Sequence, residues 1–69
     1  MKRYKGRDMM RLLKDDGWVL MRIRGSHQQY AHPTKRGIVT LSFHSTNDDL
    51  HPKTANSILR QAGLKETKE

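Results

Sequence analysis

A helical repeat of apolar residues comes first in the chain. Four hydrophobic residues are spaced as on one face of a helix: Met9, Met10, Leu12 and Leu13. Before them, Gly6 is an acceptable N-cap and Asp8 lies near the positive end of the helix dipole. After them, Gly17 suits the left-handed conformation that ends many helices. The pattern predicts a first helix from Gly6 to Asp15.

The period then changes to two over Trp18 to Arg24, which predicts a half-buried strand. The inward residues of this strand are expected to be Val19, Met21 and Ile23. Gly25-Ser26 has the glycine-first pattern of a type II′ hairpin turn. We therefore expect the segment from His27 to His32 to return antiparallel to the first strand, with Tyr30 facing the core.

A third strand and a second helix complete the pattern. Turn residues at 33–37 precede a β-branched and aromatic run from Ile38 to Phe43, which predicts the strand. Its inward residues are expected to be Val39, Leu41 and Phe43. After a polar loop at 45–49, Pro52 suits the first position of a helix. The apolar stripe of this helix is Ala55, Ile58, Leu59 and Ala62. Gly63 should end the helix, with Leu64 folding back onto it.

These elements predict one α+β domain over residues 1–69, with a basic N-terminal arm at 1–5 and a frayed tail at 65–69. The order α-β-β-β-α favours a three-stranded antiparallel sheet with both helices on one face. The opposite face then stays in water. Alternation along the strands assigns to that outer face Arg22, Arg24, His27, Gln29, Thr40, Ser42 and His44.

The net charge of the chain indicates what kind of partner it binds. Fourteen Lys and Arg residues against seven Asp and Glu give a net charge of +7, and residues 17–47 contain no acid. An anionic partner follows from this balance, and nucleic acid, an acidic membrane surface and an acidic protein are all candidates. The chain has no cysteine and no apolar run of membrane-spanning length. We therefore expect a cytoplasmic protein without disulfides and without a membrane partner.

His27 is the residue best suited to chemistry. RNA cleavage needs a base for the 2′-hydroxyl, an acid for the leaving oxygen and cations for the phosphate, and an imidazole can exchange protons near neutral pH. Arg22 and Arg24 on the neighbouring strand could hold the phosphate. The residues alone leave a purely structural role for His27 open. Ser26 is expected to stabilise the turn rather than act as a nucleophile.

No cofactor or metal ion is expected. The four histidines stand at positions 27, 32, 44 and 51, which match no compact ligand spacing, and no cysteine supports them. There is also no glycine-rich phosphate loop followed by a helix, so nucleotide hydrolysis has no support.

The chain resembles the HicA family of small toxins from toxin–antitoxin modules. The resemblance rests on four segments: Leu12-Leu13-Lys14-Asp15-Asp16-Gly17-Trp18, Gly25-Ser26-His27-x-x-Tyr30 with His32-Pro33, His44, and Leu50-His51-Pro52-Lys53-Thr54 with Ile58 to Leu64. It implies a fold like a double-stranded RNA-binding domain and an mRNA-cleaving activity that depends on His27. It also implies a HicB-like antitoxin that covers the active face. Ser42 departs from the family pattern, because many relatives have proline shortly before the second histidine.

The expected RNA contacts lie on both sides of His27 in the sequence. They are Arg22, Arg24, Ser26, Gln29, Lys35, Arg36 and His44. His44 matches a recurrent family position, which makes it a candidate for substrate binding. Two alternatives to an endoribonuclease remain at this point: an RNA-binding module of the same fold that does not cut, and an adaptor that binds only protein.

Overall fold

Two helices pack with a three-stranded antiparallel sheet around one apolar core in a computed structural model, which describes residues 3–64. The elements are β1 (Tyr4–Lys5), α1 (Gly6–Asp15), β2 (Val19–Arg24), β3 (His27–Ala31), β4 (Val39–Ser42), β5 (Asp49–Leu50) and α2 (Pro52–Gln61). The predicted α+β class and the α-β-β-β-α order are confirmed. A second, two-stranded sheet of β1 and β5 is an addition. The predicted frayed tail at 65–69 and the first two residues of the predicted arm lie outside the described residues.

Helix α1 covers the predicted residues, and it buries Met9 and Leu13 completely. Its N-cap is Lys5, whose backbone N–H donates to the Asp8 carboxylate at 2.9 Å. The prediction of Gly6 as N-cap is therefore wrong by one residue. Gly6 is instead the first helical residue, and it lies so close to Phe43 that an added Cβ would stand 3.0 Å from the ring. Gly17 follows the helix at φ 100°, as predicted.

The main sheet has the strand order β2-β3-β4, and its two-residue hairpin turn lies at Gly25-Ser26. Gly25 has φ 56°, whereas Ser26 has a negative φ, since only glycines have positive φ among the described residues. A positive φ at the first turn residue alone is the pattern of a type II′ turn. Tyr30 pairs with Val39 and faces the core, as predicted. Its hydroxyl donates to Gln28 at 2.8 Å, and burial raises the pKa of this phenol.

Strand β2 contradicts the prediction that Val19 and Met21 face the core, whereas Ile23 lies on the predicted side of the sheet. Pairing with β3 is regular at Leu20 and again at Arg22, so Met21 is an extra residue that forms a bulge. Alternation reverses across a bulge, and Leu20 therefore shares the core side with its partner Tyr30, while Val19 lies on the outer side.

All six side chains of β2 are exposed, because β2 is an edge strand that the helices do not cover. Ile23 pairs with Gln28, on the core side of the sheet, yet it is still 58% exposed. Period-two alternation places a residue on one face of a sheet, but it does not show whether that face is covered at the edge.

The N-terminal segment is partly a strand rather than an arm. Tyr4 pairs with Leu50 and Lys5 pairs with Asp49, and both Tyr4 and Leu50 are buried in the core. The prediction of a basic arm is therefore wrong for residues 4 and 5. This pairing ties the start of α1 to the segment just before α2.

Helix α2 begins at Pro52 as predicted, with the His51 ring accepting the Lys53 backbone N–H at 3.1 Å. Gly63 ends it at φ 71°, and the Leu64 N–H donates to the Leu59 carbonyl at 2.8 Å. Leu64 packs against the core, which confirms its predicted return. Neither helix of the described residues has the length and apolar character needed to span a membrane.

Candidate nucleic-acid interface

The outer face of the sheet collects the polar residues that alternation assigned to it. Arg24 pairs with His27 across one side of β3, and Ser42 pairs with His27 across the other. Gln29 lies in the same way between two further residues, Arg22 and Thr40. Partners in an antiparallel sheet point to the same face, so the structure brings these six residues together.

His27 is an exposed titratable group at the hairpin end of this face. It is the first residue of β3, directly after the tight turn, and its side chain is exposed. Within residues 3–64 its ring makes no hydrogen bond or ion pair. Arg24, beside it, is also exposed. The fold thus presents an imidazole with open ring nitrogens next to a cation.

His44 lies at the same end of the sheet as the hairpin turn. With Gly25, Ser26, Gln28, Phe43 and Thr46 it lines a cavity of about 310 Å³. Its backbone N–H donates to the Asp48 carboxylate at 3.2 Å, which also accepts the Ser45 N–H at 3.0 Å. The loop after β4 is therefore held by one carboxylate, while the His44 side chain stays exposed.

Ser42 is a regular strand residue. It is the last residue of β4 and pairs with His27. The next residue continues the contact, since the Phe43 N–H donates to the Ser26 carbonyl at 3.4 Å. Strand β4 therefore remains paired up to the turn that precedes His27.

Lys35 and Arg36 lie at the other end of the sheet, in the connection from β3 to β4. The Lys35 ammonium binds the Asp16 carboxylate at 2.5 Å and donates to the Ala62 carbonyl at 2.9 Å. This hydrogen bond lowers the pKa of Asp16 below its ordinary value of 3.8. Arg36 is exposed in the same connection. The structure thus separates these two cations from His27 and uses Lys35 to join the ends of α1 and α2.

His32 is a structural residue that the sequence patterns did not identify. Its Nδ1 accepts backbone N–H groups from Thr34 and Lys35, each at 3.1 Å. Nδ1 therefore carries no proton, and Nε2 donates to the Asp16 carbonyl at 2.6 Å. The ring also meets Trp18 edge to face, with centroids 5.2 Å apart. A histidine after a strand gave no signal for this role, which depends on backbone groups from two other segments.

The chemistry available on the outer face is proton exchange and anion binding by side chains. Among residues 3–64, no three His, Cys, Asp or Glu side chains are grouped so that they could hold a metal ion. The acids that the structure describes in α1 and in the loop before α2 lie outside the paired residues of the main sheet. A polyanion approaching this face meets cations and hydroxyl or amide groups.

The fold and the site together define a small α+β domain with an exposed turn histidine on an uncovered basic sheet. The sequence profile of the family described as HicA toxin of bacterial toxin–antitoxin matches residues 6–64 of the 69-residue chain. The chain belongs to the HicA toxin family. Membership makes it a toxin and implies an antitoxin partner. A search among curated proteins found no match.

Proposed function

We propose that this toxin is an endoribonuclease that cleaves mRNA and uses His27 as its catalytic acid or base. The observation that carries the proposal is the position of His27. Its ring is exposed at the start of β3, has no bonding partner within residues 3–64, and lies between Arg24 and Ser42 on the outer face. Family membership supports the toxin role in which such an activity blocks translation.

The proposed reaction is an attack of the ribose 2′-oxygen on the adjacent phosphorus. The 2′-hydroxyl loses its proton to a base, the new P–O2′ bond forms, and the P–O5′ bond breaks. The leaving 5′-oxygen takes a proton from an acid, so the products are a 2′,3′-cyclic phosphate and a 5′-hydroxyl. His27 serves at one of these two proton transfers, a role worth about 10² to 10⁴ in rate.

Cations and hydrogen-bond donors around His27 position the phosphate. Arg24 is its direct partner across β2, and Arg22 lies two residues further along the same face. Guanidinium groups bind phosphate oxygens in pairs and stabilise the charge that develops during attack. Ser26, Gln29 and His44 supply further polar contacts at this end of the sheet. Lys35 is assigned to the fold rather than to RNA, since its ammonium already has two partners.

A HicB-like antitoxin would silence the toxin by covering this face. The exposed cations of the face favour a partner whose contacting surface is acidic. No cofactor enters the proposal.

The test compares an RNA oligonucleotide with a DNA oligonucleotide of the same sequence. We expect the purified toxin to cut the RNA and to leave the DNA intact, because DNA lacks the attacking hydroxyl. RNA that is bound but never cut would support the RNA-binding module instead. Absence of any salt-dependent RNA affinity would point to a protein-binding adaptor.

Two matched histidine variants locate the chemistry. His27→Asn should lower the cleavage rate by about 10² or more. His51→Asn removes another exposed imidazole but keeps a side chain suited to capping α2, so its rate should stay within about twofold of wild type. Equal losses in both variants would contradict the assignment of His27.

A further inference from the structure

The exposed apolar surface of the protein is concentrated on one strand. Five large hydrophobic residues are exposed among those described, and four of them are in β2: Val19, Leu20, Met21 and Ile23. Strand β2 is also an edge of the main sheet, with β3 on one side only. An exposed apolar edge strand is a template for pairing with another chain.

A groove lies between α1 and this strand. Its volume is about 400 Å³, and its lining is mostly apolar, with Met10, Trp18 and Leu20 among the residues that form it. Arg11 and Lys14 of α1, which are both exposed, stand along the groove. We call this feature the α1–β2 groove. It combines an apolar interior with a cationic rim.

We infer that the antitoxin docks through an extended segment that adds to the β2 edge, inserts apolar side chains into the α1–β2 groove and sets acidic side chains against Arg11 and Lys14. Strand addition satisfies the backbone of the edge, and the groove selects the side chains. Charge complementarity selects the acidic residues, because Arg11 and Lys14 are exposed along the groove and the chain has a net charge of +7.

A protein segment fits this groove better than RNA does. The aromatic rings of Trp18 and Tyr30 are 3% and 4% exposed, so they offer no open face on which a base could stack. The rest of the lining is mostly aliphatic or thioether surface, which has no attraction for phosphate. Only the rim attracts anions.

A second copy of this chain is a poor occupant. Pairing two β2 edges would bring together Arg22 and Arg24 from both copies, and each copy already has a net charge of +7. Like charges that face each other across an interface disfavour it. These arginines attract an acidic partner, whereas they repel a second copy of the chain.

The groove is lined by residues of α1 and by Val19 and Leu20 at the start of β2, whereas His27 lies on the outer face beside Arg24 at the end of β2. An antitoxin anchored in the groove reaches the His27 face around the β2 edge. The inference rests on the toxin family of the chain and not on RNA cleavage. A failure of the cleavage proposal therefore leaves it standing.

The experiment is a titration of the toxin with its cognate antitoxin in the absence of RNA. Leu20→Asp places a carboxylate in the groove, and Ile38→Asp places the same change at an exposed apolar residue outside it, 55% exposed before β4. We expect Leu20→Asp to raise the dissociation constant by at least about tenfold and Ile38→Asp to change it by less than about twofold.

A charge-reversal variant keeps the test decisive if Leu20→Asp fails to fold. Arg11→Glu/Lys14→Glu changes only exposed groups, and it should slow association with the antitoxin and weaken its salt dependence. Antitoxin affinities equal to wild type in both groove variants would overturn the inference. So would a loss of RNA affinity, measured in a separate titration with a labelled RNA, while the antitoxin affinity stays unchanged, which would make the groove an RNA site.

Discussion

A histidine lies on each side of residues 28–31 of strand β3, one as its first residue and one directly after its last, and the two histidines have opposite surroundings. His27, its first residue, has an exposed ring with no bonding partner within residues 3–64. His32, just after Ala31, is half-buried, makes hydrogen bonds through both ring nitrogens and packs on Trp18. The imidazole of His32 thus stabilises the fold at one end of β3, whereas the imidazole of His27 is accessible to a ligand at the other end.

The connections at the two ends explain this difference. The turn before His27 has only two residues, and the strands it joins pair with each other up to it. The connection after β3 is longer, and it leaves backbone N–H groups of Thr34 and Lys35 that need acceptors. His32 supplies the acceptor. The half-buried His32 therefore stabilises a connection whose backbone N–H groups have no strand partner.

Glycine substitutions should separate the two ends most strongly. Gly17 has φ 100°, and an added Cβ would stand 2.9 Å from His32 Nε2, the atom that donates to Asp16. Gly25 also has positive φ, but nothing lies within 4 Å of an added Cβ. We expect Gly17→Ala to cost about 2 kcal/mol or more and Gly25→Ala about 1 kcal/mol of unfolding free energy. Equal losses in denaturant titrations would show that His32 is not held as described.

Arginine substitutions should give the next largest contrast. Arg24 pairs with His27, whereas Arg36 lies in the connection at the far end of β3. We expect Arg24→Ala to weaken RNA affinity about fivefold and to reduce its salt dependence, with a smaller effect from Arg36→Ala. Titration of a labelled RNA at several salt concentrations measures both. A larger loss of RNA affinity in Arg36→Ala than in Arg24→Ala would indicate that RNA binds at the other end of the sheet.

The smallest effect concerns the ion pair beside His32. The hydrogen bond from Lys35 lowers the pKa of Asp16 below its ordinary value of 3.8. The ionised carboxylate therefore stabilises the folded state at pH values above 3.8, and this stabilisation is lost as the pH falls through the lowered pKa. The melting temperature of wild type should therefore exceed that of Asp16→Asn near neutral pH. The gap should close toward pH 3. A gap that stays constant with pH would show that the pairing with Lys35 contributes nothing.

Local patterns were sufficient for much of the fold. The apolar stripe and its flanking glycine fixed the bounds of α1, and the glycine-first turn fixed the pairing of Arg24 with His27. Once that turn was placed, alternation put Arg22, His27 and Ser42 on one face, as the register confirms. Periodicity and turn chemistry act over a few residues, which is the range that a sequence pattern covers.

Features that depend on distant segments were missed. The bulge at Met21 reverses the alternation of β2, and the Tyr4–Leu50 pairing links residues that are far apart in the sequence. No pattern predicted an acidic partner for Lys35, because residues 17–47 contain no acid. Asp16 lies nineteen residues earlier and reaches it only in the folded chain. The role of His32 was hidden for the same reason.

The contrast between the two histidines is tested most directly by measuring RNA cleavage and unfolding free energy for His27→Asn and His32→Asn. We expect His27→Asn to retain wild-type stability within about 0.5 kcal/mol and to lose about 10² or more in cleavage rate. His32→Asn should lose about 2 kcal/mol of stability, while the protein that remains folded still cleaves RNA. A folded His27→Asn variant that cleaves RNA at the wild-type rate would contradict the account.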